Sequence, residues 1–572
     1  MSQLDADQTA GRPNGPVSRH DSARKHPARA EDGNLTIFAL CLFVLMAMIG
    51  GVAVDLMRYE AMRTSLQNTL DRATLAAASL SQQLDAEDVV TDYFDKAGLA
   101  EYLRAVSVEE GLNYREVVAD ARASTNPFFL HMIGVKEMDA PGHSMAEQRM
   151  TNVEIVLVLD VSGSMATVSP NGLTRLVNLR NAANEFVDTV LSSDSEDRIS
   201  IAIVPFNGQV NLGAALRARY NAQNQHGVAN VNCFDLPASV YNQTGITTTL
   251  GLPMTAHADT FSGTDRTASY VDRASNDFGV PNAGNRWCPP STANTVMLPS
   301  QSISALQAKI NSLTAIGATS INAGMKWGMA LIDPGTQGVI SHFVNTGVVP
   351  NALDGRPFEY TDPESMKIIV LMTDGEHFAE ERVRDNFKSG VTGANGTHAI
   401  YKSPNDGNYS IRFTTGRPGV AGTREYWVPH RSEWRALPWT NTSNTGAATL
   451  QPITFEQLWS EVRVDWVVWQ LYARALGTNN SQRSTQYNTW LPLIREQTPV
   501  NTMNAQLQQM CALAKNNGVT VYGIAFEAPA GGQTQISQCA TSSAHYYNAA
   551  GLQIRTAFRA IASNISHLRL TQ

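Results

Sequence analysis

Short apolar runs alternate along much of this chain with segments that carry an apolar residue at every third or fourth position. The runs predict strands at Glu154–Leu159, Ile199–Phe206, Lys367–Thr373 and Val519–Phe526. The periodic segments predict helices at Leu173–Leu191, Ile303–Leu313, Ile321–Ile332, Met503–Asn516 and Leu552–Ile565. Fully apolar strands alternating with helices are typical of a parallel sheet that is covered on both faces. We therefore predict an α/β fold with a doubly wound, mostly parallel sheet.

Two long polar segments interrupt this alternation, at about 207–295 and about 376–500. We interpret both as insertions at loop positions of the sheet, where specificity often resides. The second contains a predicted helix at Phe455–Leu476. Its tryptophans are expected to form the core of the insertion rather than a ligand platform, and they are Trp459, Trp466 and Trp469.

One stretch near the N-terminus differs from everything else, because Leu35–Val54 carries no charge. About twenty apolar residues in a helix span the roughly 30 Å core of a bilayer, so we predict a transmembrane helix at 33–54. Residues 1–32 form a predicted disordered tail with five basic residues, Arg12, Arg19, Arg24, Lys25 and Arg29. Basic residues favour the cytoplasmic side, so the N-terminus is expected to face the cytoplasm and the rest of the chain to lie on the other side of the membrane. A signal peptide cleaved near Gly51-Val52-Ala53 is the alternative.

Beyond the apolar run, the helical periodicity continues and predicts a stalk at 55–84. Its narrow apolar stripe would pack on a partner helix or on the rest of this protein. Residues 85–152 are interpreted as a small mixed spacer, with a strand at Tyr114–Ser124 and a short helix at Pro127–Val135. The last domain then comprises residues 153–572.

The net charge excludes one class of function, and the cysteines indicate disulfide bonds. The net charge is -8 and the pI is near 5.9, with no basic patch, which argues against nucleic-acid binding. Four of the five cysteines lie in the part predicted to be exported: Cys233, Cys288, Cys511 and Cys539. They allow three disulfide pairings, of which we favour the two sequence-local bonds, Cys233–Cys288 and Cys511–Cys539.

Oxygen-bearing side chains follow two of the predicted strands and precede one helix. They are Asp160, Ser162 and Ser164 after the first strand, Thr319 before the helix, and Asp374 after the strand that ends at Thr373. In an open parallel sheet, ligands collect beyond the carboxyl ends of the strands. Oxygen ligands suit Mg²⁺, with Ca²⁺ or Mn²⁺ as alternatives. We predict a metal site at these five residues, with one position left for water or a partner's carboxylate.

At these residues the chain resembles the von Willebrand factor A family, whose metal-ion-dependent adhesion site reads Asp-x-Ser-x-Ser, then Thr, then Asp. The resemblance runs from about residue 150 to the C-terminus, apart from the insertions. It implies binding of a protein ligand through an acidic residue. Whether the two insertions present the ion or cover it is left open by the sequence.

A second resemblance concerns the N-terminus. The segment with Asp55, Arg63, Leu66-Gln67 and Asp71 is similar to the anchor of TadG-like proteins of Flp pilus assembly. This resemblance implies an envelope protein whose partners are pilus or envelope components. Related anchors carry a glutamate five residues after a cleavage glycine, whereas Phe38 stands at that distance from Gly33, so we expect an intact anchor.

Two other functions remain open. An envelope scaffold would use the metal only to tie loops together. A metal-dependent hydrolase would draw on the cluster Glu376, His377, Glu380 and Glu381. That cluster lacks the H-E-x-x-H spacing of zinc proteases, and the chain contains no G-x-S-x-G elbow. We therefore predict a binding protein rather than an enzyme.

Overall fold

The computed structural model describes residues 32–79, 84–110, 114–149, 152–192, 194, 197–257, 266–272, 286–362, 364–394, 398–416, 418–420 and 422–571. Two compact units divide the chain, Met1–Gln148 and Arg149–Gln572. The predicted tail lies outside the described residues, apart from Asp32.

The first unit combines two helices with a three-stranded sheet of order β1-β2-β3. The elements are α1 (Asp32–Ala77), α2 (Ala86–Ala97), β1 (Leu103–Glu110), β2 (Tyr114–Thr125) and β3 (Met138–Arg149). The strand predicted at Tyr114–Ser124 is thus confirmed. The short helix predicted at Pro127–Val135 is a 3₁₀ helix, Leu130–Ile133.

Helix α1 contains the apolar run and continues well beyond it. Among the described residues, one helix is long and apolar enough to cross a membrane, and that segment of α1 is almost wholly exposed. A signal sequence would have the same length and composition. The C-terminal half of α1 packs on its own unit, since Leu66, Leu70 and Ala73 are fully buried against α2 and β2.

The stalk was predicted to run to residue 84, but α1 ends at Ala77. A second helix begins at Ala86. The side chain of Asp85 accepts hydrogen bonds from the backbone N–H groups of Glu87 and Asp88 and so starts α2. The chain therefore leaves the first helix before the periodic apolar pattern stops.

The second unit contains a six-stranded sheet with helices on either side of it, and several smaller sheets. The strands of the whole unit are β4 (Asn152–Asp160), β5 (Ile199–Phe206), β6 (Asn221–Gln223), β7 (Gly251–Pro253), β8 (Met297–Ser300), β9 (Ser365–Thr373), β10 (Glu380–Val383), β11 (Ile400–Lys402), β12 (Tyr409–Arg412), β13 (Tyr426–Val428), β14 (Glu433–Arg435), β15 (Arg495–Thr498), β16 (Thr520–Phe526) and β17 (Tyr546–Ala549).

Its helices match most of the predicted positions to within a few residues. They are α3 (Arg175–Ser192), α4 (Gly213–Arg217), α5 (Ile303–Ser312), α6 (Ile321–Ile332), α7 (Gln337–Asn345), α8 (Phe455–Trp459), α9 (Val464–Trp466), α10 (Arg474–Leu476), α11 (Asn480–Ile494), α12 (Val500–Asn516), α13 (Ala530–Cys539) and α14 (Gln553–Thr571).

The large sheet has the order β17-β16-β9-β4-β5-β8. All neighbours are parallel except β8, which pairs antiparallel with β5. The prediction of a mostly parallel sheet in an α/β fold is therefore confirmed. The chain passes from β4 to β5 on one side and later returns to β9 on the other. Ligands of open α/β sheets collect at such a reversal, which here lies between the ends of β4 and β9.

A hydrophobic core covers each face of this sheet. One contains Val156 and Val158 with side chains of α6, α7 and α12, and the other contains Ile155 and Leu157 with side chains of α3, α5 and α14. Helix α6 is buried along its whole length. A Cβ on Gly324 would lie 2.6 Å from the ring of Phe206, so this helix approaches the sheet more closely than a side chain there would permit.

The segment 376–500 carries a core of its own, built from the aromatic residues around β11–β14 and α8–α11. The prediction of a single helix at Phe455–Leu476 is wrong. The helix is interrupted between Trp459 and Val464, and the helical structure then continues as α9, a π-helical segment Val467–Ala473 and α10. The break lets two tryptophans reach different segments. Trp459 donates its indole N–H to Phe387 O and Trp466 to Val271 O. Their burial confirms a core role.

Both favoured disulfides are present, Cys233–Cys288 and Cys511–Cys539, with Cα atoms 6.0 Å and 5.1 Å apart. The second joins α12 to α13. Cys41 is a free thiol on the exposed apolar part of α1.

Candidate functional site

The ends of β4 and β9 bring two carboxylates together. Leu159 of β4 is aligned with Met372 of β9, so Asp160 and Thr373 are the next residues of two adjacent parallel strands. Asp374 follows immediately. Because both strands end at the same edge of the sheet, residues more than 200 positions apart in sequence meet at the same point.

Hydroxyl groups connect the two ends. The Ser164 hydroxyl donates to Asp374 Oδ1 over 2.7 Å, and the Ser162 and Ser164 hydroxyls lie 2.9 Å apart. Four of the five predicted ligands, Asp160, Ser162, Ser164 and Asp374, thus belong to one hydrogen-bonded cluster. The alternating spacing of Asp160-x-Ser162-x-Ser164 achieves this because a tight turn follows the strand directly.

Asp160 is completely buried, and both of its oxygens are held by neutral donors. Its Oδ1 accepts the backbone N–H of Ser162 at 2.8 Å, and its Oδ2 accepts the Thr373 hydroxyl at 2.6 Å. Desolvation and the nearby charge of Asp374 raise the pKa of Asp160. Desolvation also raises the pKa of Asp374, against the opposing effects of Ser164 and Arg175.

Thr319 lies beside the same cluster, on the loop before α6. A Cβ on Gly375 would lie 3.6 Å from Thr319 Oγ1, so this hydroxyl is next to the residue that follows Asp374. The Phe378 N–H donates to Thr319 O at 2.9 Å, and the Gly163 N–H donates to Gly317 O at 2.9 Å. Backbone hydrogen bonds therefore tie the three loops that carry the predicted ligands.

His377 connects the loop after β9 to helices α6 and α12, a structural role that the sequence did not indicate. Its Nε2 accepts the N–H of Asn322 in the first turn of α6 at 3.0 Å, and its Nδ1 lies 2.7 Å from Asn504 Oδ1 on α12. Burial lowers the pKa of His377 to about 4. The imidazole is therefore neutral and accepts a helix N–H, fixing the loop of Thr319 relative to that of Asp374.

Arg175, on the first turn of α3, was also missed from the sequence. Its guanidinium donates to Asp374 Oδ2 at 2.9 Å and to Glu527 Oε2 at 3.0 Å. Glu527 follows β16 and has a left-handed φ of 53°. Since Arg175 is 199 residues from Asp374 and 352 from Glu527, only the fold reveals that they meet. Among the described residues, no cation contacts Asp160.

The cluster reaches the surface at one side. Asp160, Ser162, Thr319 and Asp374 are all buried, whereas Ser164 is exposed. Two apolar side chains near it in sequence are exposed as well, Val168 at 62% and Phe378 at 45%. The residues of 207–295 and 376–500 that the structure describes thus leave Ser164 open to solvent.

The donor set is chemically suited to a hard divalent cation. It consists of two desolvated carboxylates and three hydroxyls, all oxygen, and the one guanidinium beside it is shared between Asp374 and Glu527. The cluster of Glu376, His377, Glu380 and Glu381 differs, since both nitrogens of His377 are engaged, Glu380 accepts from Gln209, and Glu381 pairs with Arg495. No three His, Cys, Asp or Glu side chains converge on a metal position in the described part of the chain.

Comparison with known proteins identifies the N-terminal segment. Residues 33–80 match the model of the Tad family, Flp pilus-assembly TadE/G-like proteins. The predicted resemblance of the anchor to this family is therefore confirmed, and the match supports a role related to pili. No curated protein matches the chain.

Similar solved structures include three pilus proteins. The von Willebrand factor domain of the type V pili tip protein Mfa5 from Porphyromonas gingivalis is 13% identical, with 74% of this chain and 97% of that chain covered and a TM-score of 0.31. The pilus adhesin SpaC from Lactobacillus rhamnosus GG is 11% identical, with coverages of 82% and 34% and a TM-score of 0.27. The pilus adhesin RrgA from Streptococcus pneumoniae is 9% identical, with coverages of 82% and 50% and a TM-score of 0.28. These values are too low to transfer a function or a site.

Proposed function

We propose that this chain is a membrane-anchored envelope protein that acts in Flp/Tad pilus assembly or surface adhesion by metal-dependent protein binding. The second unit would be a von Willebrand factor A domain, doubly wound, with insertions at about 207–295 and 376–500. The observation that carries the proposal is the convergence of Asp160, Ser162, Ser164 and Asp374 beside Thr319. The match of residues 33–80 supports the connection with pili.

The proposed cation is Mg²⁺, with Ca²⁺ or Mn²⁺ as alternatives, held by the five predicted ligands. Arg175 pairs with Asp374, whereas no cation contacts Asp160 among the described residues, so one of the two buried carboxylates lacks a cationic partner, which supports a cation there. A bound cation would supply an electrophilic position for an acidic side chain of a partner. Ser164 is the exposed member of the set, so the partner would approach on its side.

Exposed apolar residues support a protein as the partner. Phe378 follows Asp374 by four residues and is 45% exposed, with its ring centroid 6.2 Å from that of Trp287. Val168 follows Ser164 by four residues and is 62% exposed. We propose that these two side chains belong to the surface that the partner contacts. We propose binding without catalysis, because three of the four residues in the cluster after Asp374, His377, Glu380 and Glu381, are engaged in contacts within the chain.

We further propose that the apolar part of α1 crosses the bacterial inner membrane, with the N-terminus in the cytoplasm. The bulk of the chain would then be in the periplasm or beyond. The two disulfides support an oxidising compartment. This location is consistent with pilus or envelope components as partners.

A pull-down from envelope extracts tests the binding proposal. The full chain is compared with Asp160→Asn and Phe378→Ser variants, each with Mg²⁺ and with chelator. We expect capture of pilus or envelope components that chelator and Asp160→Asn abolish. Phe378→Ser should reduce capture while cation binding persists, because its side chain is no ligand. Capture that is unchanged by chelator and by Asp160→Asn would favour the alternative of an envelope scaffold with a purely structural site.

A further inference from the structure

A loop of the first unit is fastened to α1 at the point where the apolar run ends. Asp55 is the first charged residue after Leu35–Val54, and it is only 3% exposed. Its carboxylate accepts three backbone N–H groups, those of Phe128 at 3.0 Å, Phe129 at 2.7 Å and Leu130 at 2.9 Å. These donors lead into the 3₁₀ helix Leu130–Ile133, so one side chain holds the start of that helix against α1.

Two further contacts hold the same loop against α1, one about a helical turn before Asp55 and one about a turn after it. The ring of Phe129 lies on the backbone at Gly51, where a Cβ would collide with it. The Arg58 guanidinium lies 4.6 Å from the centroid of the Phe128 ring. At 1.5 Å per residue, the span from Gly51 to Arg58 is about 10 Å. The loop is therefore level with the end of the apolar run.

The outer surface of this loop is apolar and exposed. The exposed fractions are 69% for Phe128, 69% for Met132 and 62% for Ile133. The neighbouring surface of α1 is similar, since Val54 is 48% and Met57 is 71% exposed. Three large apolar side chains on a turn of so few residues are unusual for a surface that faces only water.

We propose that residues 128–133 are a second membrane contact, inserted into the interface of the bilayer that α1 crosses. The inference rests on the proposed anchor, because the apolar surface of α1 and that of the loop are continuous at one height. Arg58, which contacts the Phe128 ring, and His131, which lies within the loop, would be among the headgroups, as basic groups are in other interfacial segments. Asp55 thereby links the membrane-spanning part of α1 to the folded unit that follows.

Fluorescence quenching in nanodiscs tests this contact on the full chain. A fluorophore is attached at Met132→Cys in a Cys41→Ser background, while the four paired cysteines stay unreactive. Native Cys41, in the apolar run, provides the positive control. Thr91→Cys, exposed on α2, provides the aqueous control. Quenching by nitroxide lipids and by aqueous iodide is measured at all three positions.

We expect the label at position 132 to be quenched by nitroxide lipids and to be severalfold less accessible to iodide than the label at position 91. Equal iodide accessibility at 132 and 91, with Cys41 still quenched by lipid, would overturn the membrane contact and leave the anchor intact. Protection from iodide without lipid quenching would mean that protein, such as a second copy, covers the loop, and it also overturns the inference. Failure of lipid to quench Cys41 would overturn the anchor itself.

Discussion

Ser164 donates a hydrogen bond to Asp374 across 210 residues of sequence, with 2.7 Å between the two oxygens. This contact joins the loop after β4 to the loop after β9 and leaves Ser164 exposed while Asp374 is buried. The candidate site therefore has two carboxyl groups on a buried floor and a polar opening. A cation held there would be accessible from one side.

Replacing Asp160 should show separately how the buried carboxylate and how a bound cation affect the thermal stability of the protein. Asp160→Asn removes one of two buried carboxylates, so in chelator we expect Tm to be unchanged or higher than in the wild type. Saturating Mg²⁺ should raise the wild-type Tm, since a ligand at about 100 times its Kd stabilises by about 2.7 kcal/mol. The same addition should leave Asp160→Asn unaffected. Thermal denaturation with Mg²⁺ and with chelator measures both effects.

The exposed Asp188 of α3 offers a matched control, and Asp188→Asn should respond to Mg²⁺ as the wild type does. An equal rise in Tm for Asp160→Asn and the wild type would show that any stabilising cation binds elsewhere.

Arg175 should lower the affinity of the site for cations. Its guanidinium is 2.9 Å from Asp374 and adds a positive charge beside the site. Removing that charge with Arg175→Gln should tighten Mg²⁺ binding roughly tenfold, equivalent to about 1.4 kcal/mol of electrostatic free energy. Titration calorimetry measures the change.

Glu527→Gln serves as the control for this prediction. It removes the other partner of Arg175 but leaves the guanidinium beside Asp374, so it should not tighten binding. Weaker binding in Arg175→Gln would mean that the guanidinium organises the ligands rather than competing with the cation.

The sequence predicted those parts of the fold and site that depend on local patterns. Strands such as Ile199–Phe206 are continuous apolar runs, and Asp160 and Asp374 directly follow such runs. Arg175 was missed, and His377 was considered only as part of a hydrolase cluster, because their roles depend on partners that lie far away in sequence, Asp374 and Asn504. The break between Trp459 and Val464 has no Gly or Pro to mark it. The small sheet β11–β14 was not predicted, because strands of three or four residues are too short to show a detectable alternation of apolar and polar residues.

Glu380, which is not one of the five proposed metal ligands, should make the stability of the protein depend on pH. Burial and the charge of Asp235 raise its pKa from 4.5 to about 7, against opposing effects of Arg382 and Lys388. Between these two values the unfolded chain releases the proton while the folded chain retains it. Stability contributed through this group is therefore lost as pH rises from about 4.5 to 7, and the loss is complete above 7.

Glu380→Gln should remove that loss. We expect the variant to be more stable than the wild type at pH 8, by about 1–3 kcal/mol, and to differ little at pH 4.5. Denaturant unfolding at the two pH values provides the test. A variant that is less stable than the wild type at pH 8 would mean that the ionised carboxylate is stabilised by its basic neighbours.

Each disulfide should stabilise the second unit. Loop-entropy arguments give about 4 kcal/mol for bonds that close loops of this length, and the sequence separations are 55 and 28 residues. Paired substitution of Cys511 and Cys539 by Ala should lower the free energy of unfolding, since both lie in the core beside the sheet. Urea denaturation of this variant and of the Cys233/Cys288 pair checks the prediction, and it would be wrong if reduction left the wild type equally stable.

Direct measurement of cation binding tests whether the ends of β4 and β9 form a metal site. Manganese binding to the full chain, followed by electron paramagnetic resonance, would give the number of ions per chain. We expect one ion per chain that Mg²⁺ displaces; Asp160→Asn and Asp374→Asn should each abolish its binding, whereas Asp188→Asn should retain it. Absence of binding to the wild type, or binding that both site variants retain, would contradict this expectation.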